Sequence, residues 1–133
     1  MGRTLDLVLF GASGFTGRLV AEYLQRRLSS HVDLRWALAG RDAAKLAQVR
    51  DAIGADPGLP LLTADASDAE AMAELVRQAR VVITTVGPYQ RYGEALITAC
   101  AQAGTDYVDL CGEPLWMAKM IPALQPPASS ARA

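Results

Sequence analysis

Leu5-Asp6-Leu7-Val8-Leu9-Phe10 runs directly into Gly11-Ala12-Ser13-Gly14-Phe15-Thr16-Gly17, and that loop opens onto a segment with helical spacing. The short β-rich run reads as a strand, the glycines as a tight turn, and the segment beyond them as an amphipathic helix. Phe15, Leu19, Tyr23 and Leu24 make its apolar stripe, with Val20 and Leu28 at the edge and Arg18, Glu22, Gln25 and Arg26 on the opposite side.

Working outward, the same alternation of strand, turn and helix recurs along the chain. Further strand runs are Leu34–Ala39, Leu59–Thr63, Val81–Thr85 and a weaker Tyr107–Leu110, several of them apolar on both faces, as strands of a helix-covered parallel sheet should be. The second helix starts at Asp42, a good N-cap, turns Leu46, Val49 and Ile53 inward and ends at Gly54. Ser67 and Glu70 stand at capping-box spacing before a third helix whose inner face is Met72, Leu75, Val76 and Ala79. A fourth runs from Gly93 to Ala103, burying Leu96, Ala99 and Cys100, and stops at Gly104. Right-handed crossovers between five such strands predict an α/β fold: a Rossmann-like open parallel sheet, strand order 3-2-1-4-5, with helices on both faces. Its ligand crevice lies beyond the strand C-termini between the first and fourth strands, so residues 11–17 and 86–92 should face the ligand.

A chain of 133 residues, 51% hydrophobic and 20% charged, fits one globular domain. The reading places that domain at residues 1–121, closing with a short helix over Glu113–Ile121. Pro122, Pro126 and Pro127 with the run to Ala133 read as a flexible Pro/Ala-rich tail. Charges are scattered, 13 Lys and Arg against 14 Asp and Glu, which argues against nucleic acid and for a small-molecule partner. No apolar run is long enough for a membrane span, and the N-terminus lacks the form of a secretion signal, so a cytoplasmic location is expected. Two cysteines without CxxC spacing and the single histidine His31, in a linker, leave no metal site.

The glycine loop is where chemistry is expected. A dinucleotide diphosphate carries about two negative charges, and a helix N-terminus offers free N–H groups and about half a unit of positive dipole charge. Glycine removes the Cβ that would block that approach. Gly11, Ala12, Ser13, Gly14, Phe15, Thr16 and Gly17 are therefore assigned to the phosphates; the alternative is a tight turn without a ligand. After the second strand, Arg41 occupies the position beside the adenosine ribose, where a cation suits the 2′-phosphate of NADP and an acid would suit NAD. NADP is accordingly expected over NAD, with Lys45 adding charge and Asp42 kept for the helix cap; Arg41 as a solvated loop residue is the alternative.

After the third strand, Asp65 can accept from the adenine amino group over Ala66, or compete with Ser67 for a cap. Val86, Gly87 and Pro88 bring bare backbone to the nicotinamide side. Tyr89 and Tyr92 are candidate acids unless their rings simply pack. Glu113 either touches substrate or nicotinamide or caps the final helix. Cys111 has no histidine to activate it, so the buried-thiol reading competes with a nucleophile. No catalytic residue is assigned.

GASGFTG, WALAGRD, VVITTVGPYQRYGEALITAC and GTDYVDLCGEP, in that order, resemble the NADP-binding N-terminal domain of the saccharopine dehydrogenase-like oxidoreductases, including the trans-acting enoyl reductase group. The resemblance spans Leu5 to Ile121. It implies diphosphate binding at Gly11–Gly17, a 2′-phosphate at Arg41, Gly87 and Pro88 beside the cofactor, and hydride transfer from NADPH. It also implies a further α+β region for substrate and dimer contacts, absent here, so the proline-rich end reads as a truncation, an altered reading frame or an artificial boundary that leaves Leu115, Trp116 and Met120 partly uncovered for self-association. Two other functions compete: a non-catalytic NADP-binding or redox-sensing module, and a short-chain-dehydrogenase-like reductase. The latter needs Tyr-x-x-x-Lys, whereas the residues four beyond Tyr23, Tyr89, Tyr92 and Tyr107 are Arg27, Gly93, Leu96 and Cys111.

Overall fold

A computed structural model describes residues 3–31 and 33–131. Strands β1 (Leu5–Phe10), β2 (Trp36–Gly40), β3 (Leu61–Thr63), β4 (Ala79–Thr84) and β5 (Asp106–Asp109) form one parallel sheet in the order β3-β2-β1-β4-β5, as expected. Central β1 pairs Leu7, Val8, Leu9 and Phe10 with Trp36–Ala39 of β2 on one side and with Val81–Thr84 of β4 on the other.

Alternation along the central strands makes two cores. Val8, Phe10, Ala37, Ala39 and Val82 point to one face, under Met72 and Val76 of α3 (Ala69–Arg77) and Leu96 and Cys100 of α5 (Glu94–Ala103). Leu9, Trp36 and Leu38 point to the other, under Ala21 of α1 (Phe15–Leu28) and Leu46 and Val49 of α2 (Ala43–Ala52). A strand covered on both faces has no solvent side, which is why its sequence shows little polar alternation.

Three of the expected helices differ from their sequence reading. Helix α1 buries Gly17 and Ala21, with Val20, Leu24 and Leu28 packed beside them, while Phe15, Leu19 and Tyr23 are 86%, 54% and 53% exposed. Close approach decides the rotation: a Cβ on Gly17 would lie 1.8 Å from the Gly11 carbonyl oxygen, so only a small-residue face can rest on the β1 loop. Helix α3 is capped by Asp68, which accepts from the Ala71 amide at 3.1 Å, and the Ser67–Glu70 box does not form because Ser67 bonds Asp65 instead.

The third departure is α6, which runs from Pro114 through Ala131 and makes a helix of the segment expected to be a flexible tail. Each of Pro122, Pro126 and Pro127 removes one backbone hydrogen bond. Packing offsets that loss: Trp116 and Met120 are buried beside Tyr89, with Ile97 and Leu124 against them. The surface expected from Leu115, Trp116 and Met120 therefore reduces to Leu115. Among the described residues no helix is long and apolar enough to cross a membrane.

At the N-terminal end of the central strands, away from the ligand crevice, Arg3 acts as a bolt. One guanidinium nitrogen donates to the Val76 and Ala79 carbonyls (2.8 and 3.0 Å) and to Thr105 Oγ1 (2.8 Å), and the other donates to the Ala103 carbonyl (2.5 Å). The cation thus sits beside the C-terminal ends of α3 and α5 and the start of β4, where the helix dipoles favour positive charge. Arg3→Ala should lower stability by about 2 kcal/mol, read by urea unfolding, since it removes charge-assisted bonds and leaves the Ala103 carbonyl without its donor, while the Thr105 hydroxyl still donates to the Val76 and Ala79 carbonyls. A change below about 0.5 kcal/mol, the range typical of surface substitutions, would show that water replaces the bolt without cost.

Candidate functional site

The loops after β1, β2, β3 and β4 enclose a groove of about 380 Å³. Its floor is the glycine loop. Gly11, at φ +87°, donates its amide to the Ala39 carbonyl at 2.9 Å. Its own carbonyl accepts from the Gly14 amide at 3.1 Å and from the Thr85 hydroxyl at 3.2 Å. The loop is thereby tied to both neighbouring strands.

The three glycines do different work. A Cβ on Gly11 would meet Val86 Cγ2 at 2.6 Å, and one on Gly17 would strike the Gly11 carbonyl. Both are explained by the protein's own atoms. Gly14 is not: its φ of −76° suits any residue, and a Cβ there would meet only the Gly11 oxygen, at an ordinary 3.5 Å. Gly14 is also the N-cap of α1, lines the groove, and supplies no side-chain cap; the first turn holds no acid. Asp42 and Asp68 cap α2 and α3 with carboxylates, so α1 keeps free first-turn amides beside a glycine the fold does not require. That arrangement fits a bound diphosphate.

Of the sequence-predicted residues, Gly11, Ser13, Gly14 and Arg41 line the groove together with Asp65, Ala66, Val86 and Gly87. Ala12 and Gly17 are buried beneath the loop, and Phe15 and Thr16 lie exposed on α1. Pro88 stands behind Gly87 as the N-cap of α4 (Tyr89–Tyr92), a one-turn helix in a stretch read only as loop. Gly40, Ala64 and Thr85 also line the groove. Each is at a strand's C-terminal end, and that position was the available signal.

Cations gather at one end. Arg41 is exposed and makes no ion pair among the described residues, and Lys45 stands one helical turn on, in the same groove wall. Between them Asp42 caps α2, Oδ1 accepting from Ala44 and Lys45 amides at 3.0 and 3.2 Å. Asp65 Oδ1 accepts from the Ser67 amide at 2.9 Å and hydroxyl at 2.7 Å; those bonds hold its carboxyl below the usual range, with Arg41 adding a smaller attraction.

The other candidates fall out differently. Tyr89 is buried against Trp116, its hydroxyl donating to the Thr84 carbonyl (3.2 Å) and accepting from the Leu110 amide (3.1 Å), while burial raises its pKa. It serves as a brace, with its proton engaged. Tyr92 lines the groove, half-exposed, under the Arg91 guanidinium. Glu113 caps α4, not the final helix: its two oxygens accept from Tyr89 and Gln90 amides. Sequence reasoning missed that pairing because α4 itself was not read. Cys111 is half-buried and its sulfur accepts from the Glu113 amide; buried Cys100 is pushed up to about 12 by desolvation. His31 is exposed between α1 and β2, and no metal-binding cluster occurs among the described residues.

A doubly wound sheet with a glycine loop at its switch point and cations after β2 defines a dinucleotide-binding domain. The chain belongs to the saccharopine dehydrogenase NADP binding domain family, which it matches over residues 7–133. It is 51% identical over 120 residues to a Mycobacterium tuberculosis protein carrying the provisional name trans-acting enoyl reductase, covering 90% of this chain and 28% of that protein. A trans-acting enoyl reductase of Mycobacterium ulcerans is 47% identical over 112 residues, covering 84% and 26%. The chain thus spans about a quarter of the length of these curated relatives. Apo saccharopine dehydrogenase (L-Glu forming) from Saccharomyces cerevisiae shares the fold, with a TM-score of 0.61 at 21% identity over 79% of this chain and 21% of that one.

Proposed function

We propose that this chain holds NADPH along the C-terminal ends of β1 to β4 and acts as the cofactor-binding part of an NADP-dependent oxidoreductase. The observation that carries this reading is Gly14: an uncapped helix start behind a glycine that the protein's own packing does not need. The α1 amides and Ser13 would hold the diphosphate, Arg41 with Lys45 the 2′-phosphate, Asp65 over Ala66 the adenine, and Val86, Gly87 and Pro88 the nicotinamide ribose. Bound NADPH supplies a hydride to the substrate. Among the curated relatives' names the reaction is enoyl reduction, and we extend it to this chain as a reduction of an α,β-unsaturated acyl group.

Titration calorimetry tests the binding half. Arg41→Ala should weaken NADPH about 10-fold or more and leave NADH within about twofold, because a charge-assisted contact to the 2′-phosphate is lost and nothing else changes. Equal losses for both cofactors would remove Arg41 from that role. The observation favouring a second reading, a non-catalytic NADP-binding module, is the engaged hydroxyl of Tyr89. NADPH oxidation with an enoyl thioester by this chain alone supports the enzyme; tight binding without turnover supports the module.

A further inference from the structure

Helix α4 is a single turn, and a single turn cannot hold itself: nucleating it orders several residues for one hydrogen bond. Its first amides have no partner within the helix. Both are met from another loop. Glu113 Oε2 accepts from the Tyr89 amide at 2.6 Å and Oε1 from the Gln90 amide at 3.0 Å, across 24 and 23 residues of chain.

The loop presenting Glu113 is itself held firmly. Asp109 takes the Tyr107 hydroxyl on one oxygen (2.6 Å) and the Cys111 amide on the other (3.0 Å). Tyr89 returns the contact, its hydroxyl linking the Leu110 amide to the Thr84 carbonyl. The turns after β4 and β5 are therefore cross-braced, and the β4 turn is the one that carries Val86 and Gly87 along the groove. Gly87 cannot stiffen that turn: its φ is not positive, and a Cβ there would meet only ordinary contacts beginning at 3.6 Å. The near end of the turn is held by Thr85, whose amide donates to the Phe10 carbonyl (3.1 Å), and by the Val86 amide on the Thr84 hydroxyl (3.2 Å). Its far end lies where α4 begins, and that end is the one Glu113 holds.

We propose that Glu113 is a positioning residue for the nicotinamide half of the dinucleotide, acting through α4 on Val86 and Gly87; this rests on the cofactor reading above. The carboxylate touches neither cofactor nor substrate in this role. It commits both oxygens to backbone amides and so holds the turn in register with the diphosphate loop on β1.

The test compares two ligands. NADPH spans the groove, whereas adenosine 2′,5′-bisphosphate carries only the adenine, the 2′-phosphate and one phosphate of the diphosphate, so it reaches the Arg41 and Asp65 end and the glycine loop but not Val86 and Gly87. Glu113→Ala in the full chain should weaken NADPH about 10-fold, the scale of one lost charge-assisted bond, and leave the bisphosphate within about twofold. Glu113→Gln, which keeps one acceptor oxygen, should recover most of the loss. Parallel weakening of both ligands would mean that Glu113 supports the whole fold, and an unchanged NADPH affinity would mean that the turn holds itself; either overturns the positioning role alone. Wild-type protein that binds neither ligand overturns the cofactor reading and this proposal with it.

Discussion

Gly14→Val is expected to weaken NADPH binding by at least about 100-fold while thermal unfolding stays within a few degrees of wild type. The two halves of that expectation have separate causes. Stability is preserved because Gly14 has extended backbone, φ −76° and ψ 170°, which β-branched residues adopt readily, and its Cβ has an ordinary contact at 3.5 Å. Binding is lost because the side chain stands at the exposed N-cap of α1, where a diphosphate must approach the first-turn amides. Losing two charge-assisted hydrogen bonds of about 1.5–3 kcal/mol each accounts for the magnitude. Calorimetry for affinity and a melting curve for the fold separate the two. Unchanged affinity would remove the anion from the head of α1, and with it the functional proposal.

Gly17→Ala, three residues on, should do the reverse first. The added methyl would sit 1.8 Å from the Gly11 oxygen and 2.7 Å from its carbonyl carbon, both backbone atoms that cannot rotate away. Either α1 lifts from the sheet, opening the contact at Ala21, or the loop is displaced from Thr85 and Ala39. Overpacking of this kind costs about 3 kcal/mol or more, so the midpoint of thermal unfolding should fall by about 10 °C. Affinity falls too, as a consequence of the moved loop. A variant that melts with the wild type would show that the close approach of α1 is not what seats this helix.

Most of the sheet is legible in the sequence because each strand's partner is dictated by handedness and by apolar runs such as Val81–Thr85. Strand order and the groove's place are then determined. What local pattern could not show depends on long-range contact. Periodicity favoured Phe15, Leu19 and Tyr23 as the buried face of α1, but backbone approach at Gly17 outranks side-chain size, and the smaller residues face inward. Three prolines argued for the end of order after Ile121; burial of Met120 and packing of Leu124 keep α6 going. Arg3 and Glu113 were equally opaque, since each serves backbone groups far along the chain, for which no spacing rule exists. The glycine loop was readable as a phosphate candidate. Which of its glycines serves the fold and which leaves room for a ligand depends on contacts with Val86 and with the Gly11 carbonyl that no local pattern encodes.

Arg41 and Asp42 sit side by side with separate obligations: the carboxylate is committed to the start of α2, and the guanidinium makes no ion pair among the described residues. Evolution is therefore free to change one position without disturbing the other. On the cofactor reading proposed above, a preference for the phosphorylated dinucleotide is then tunable at Arg41 and Lys45 while the neighbouring acid keeps its structural task.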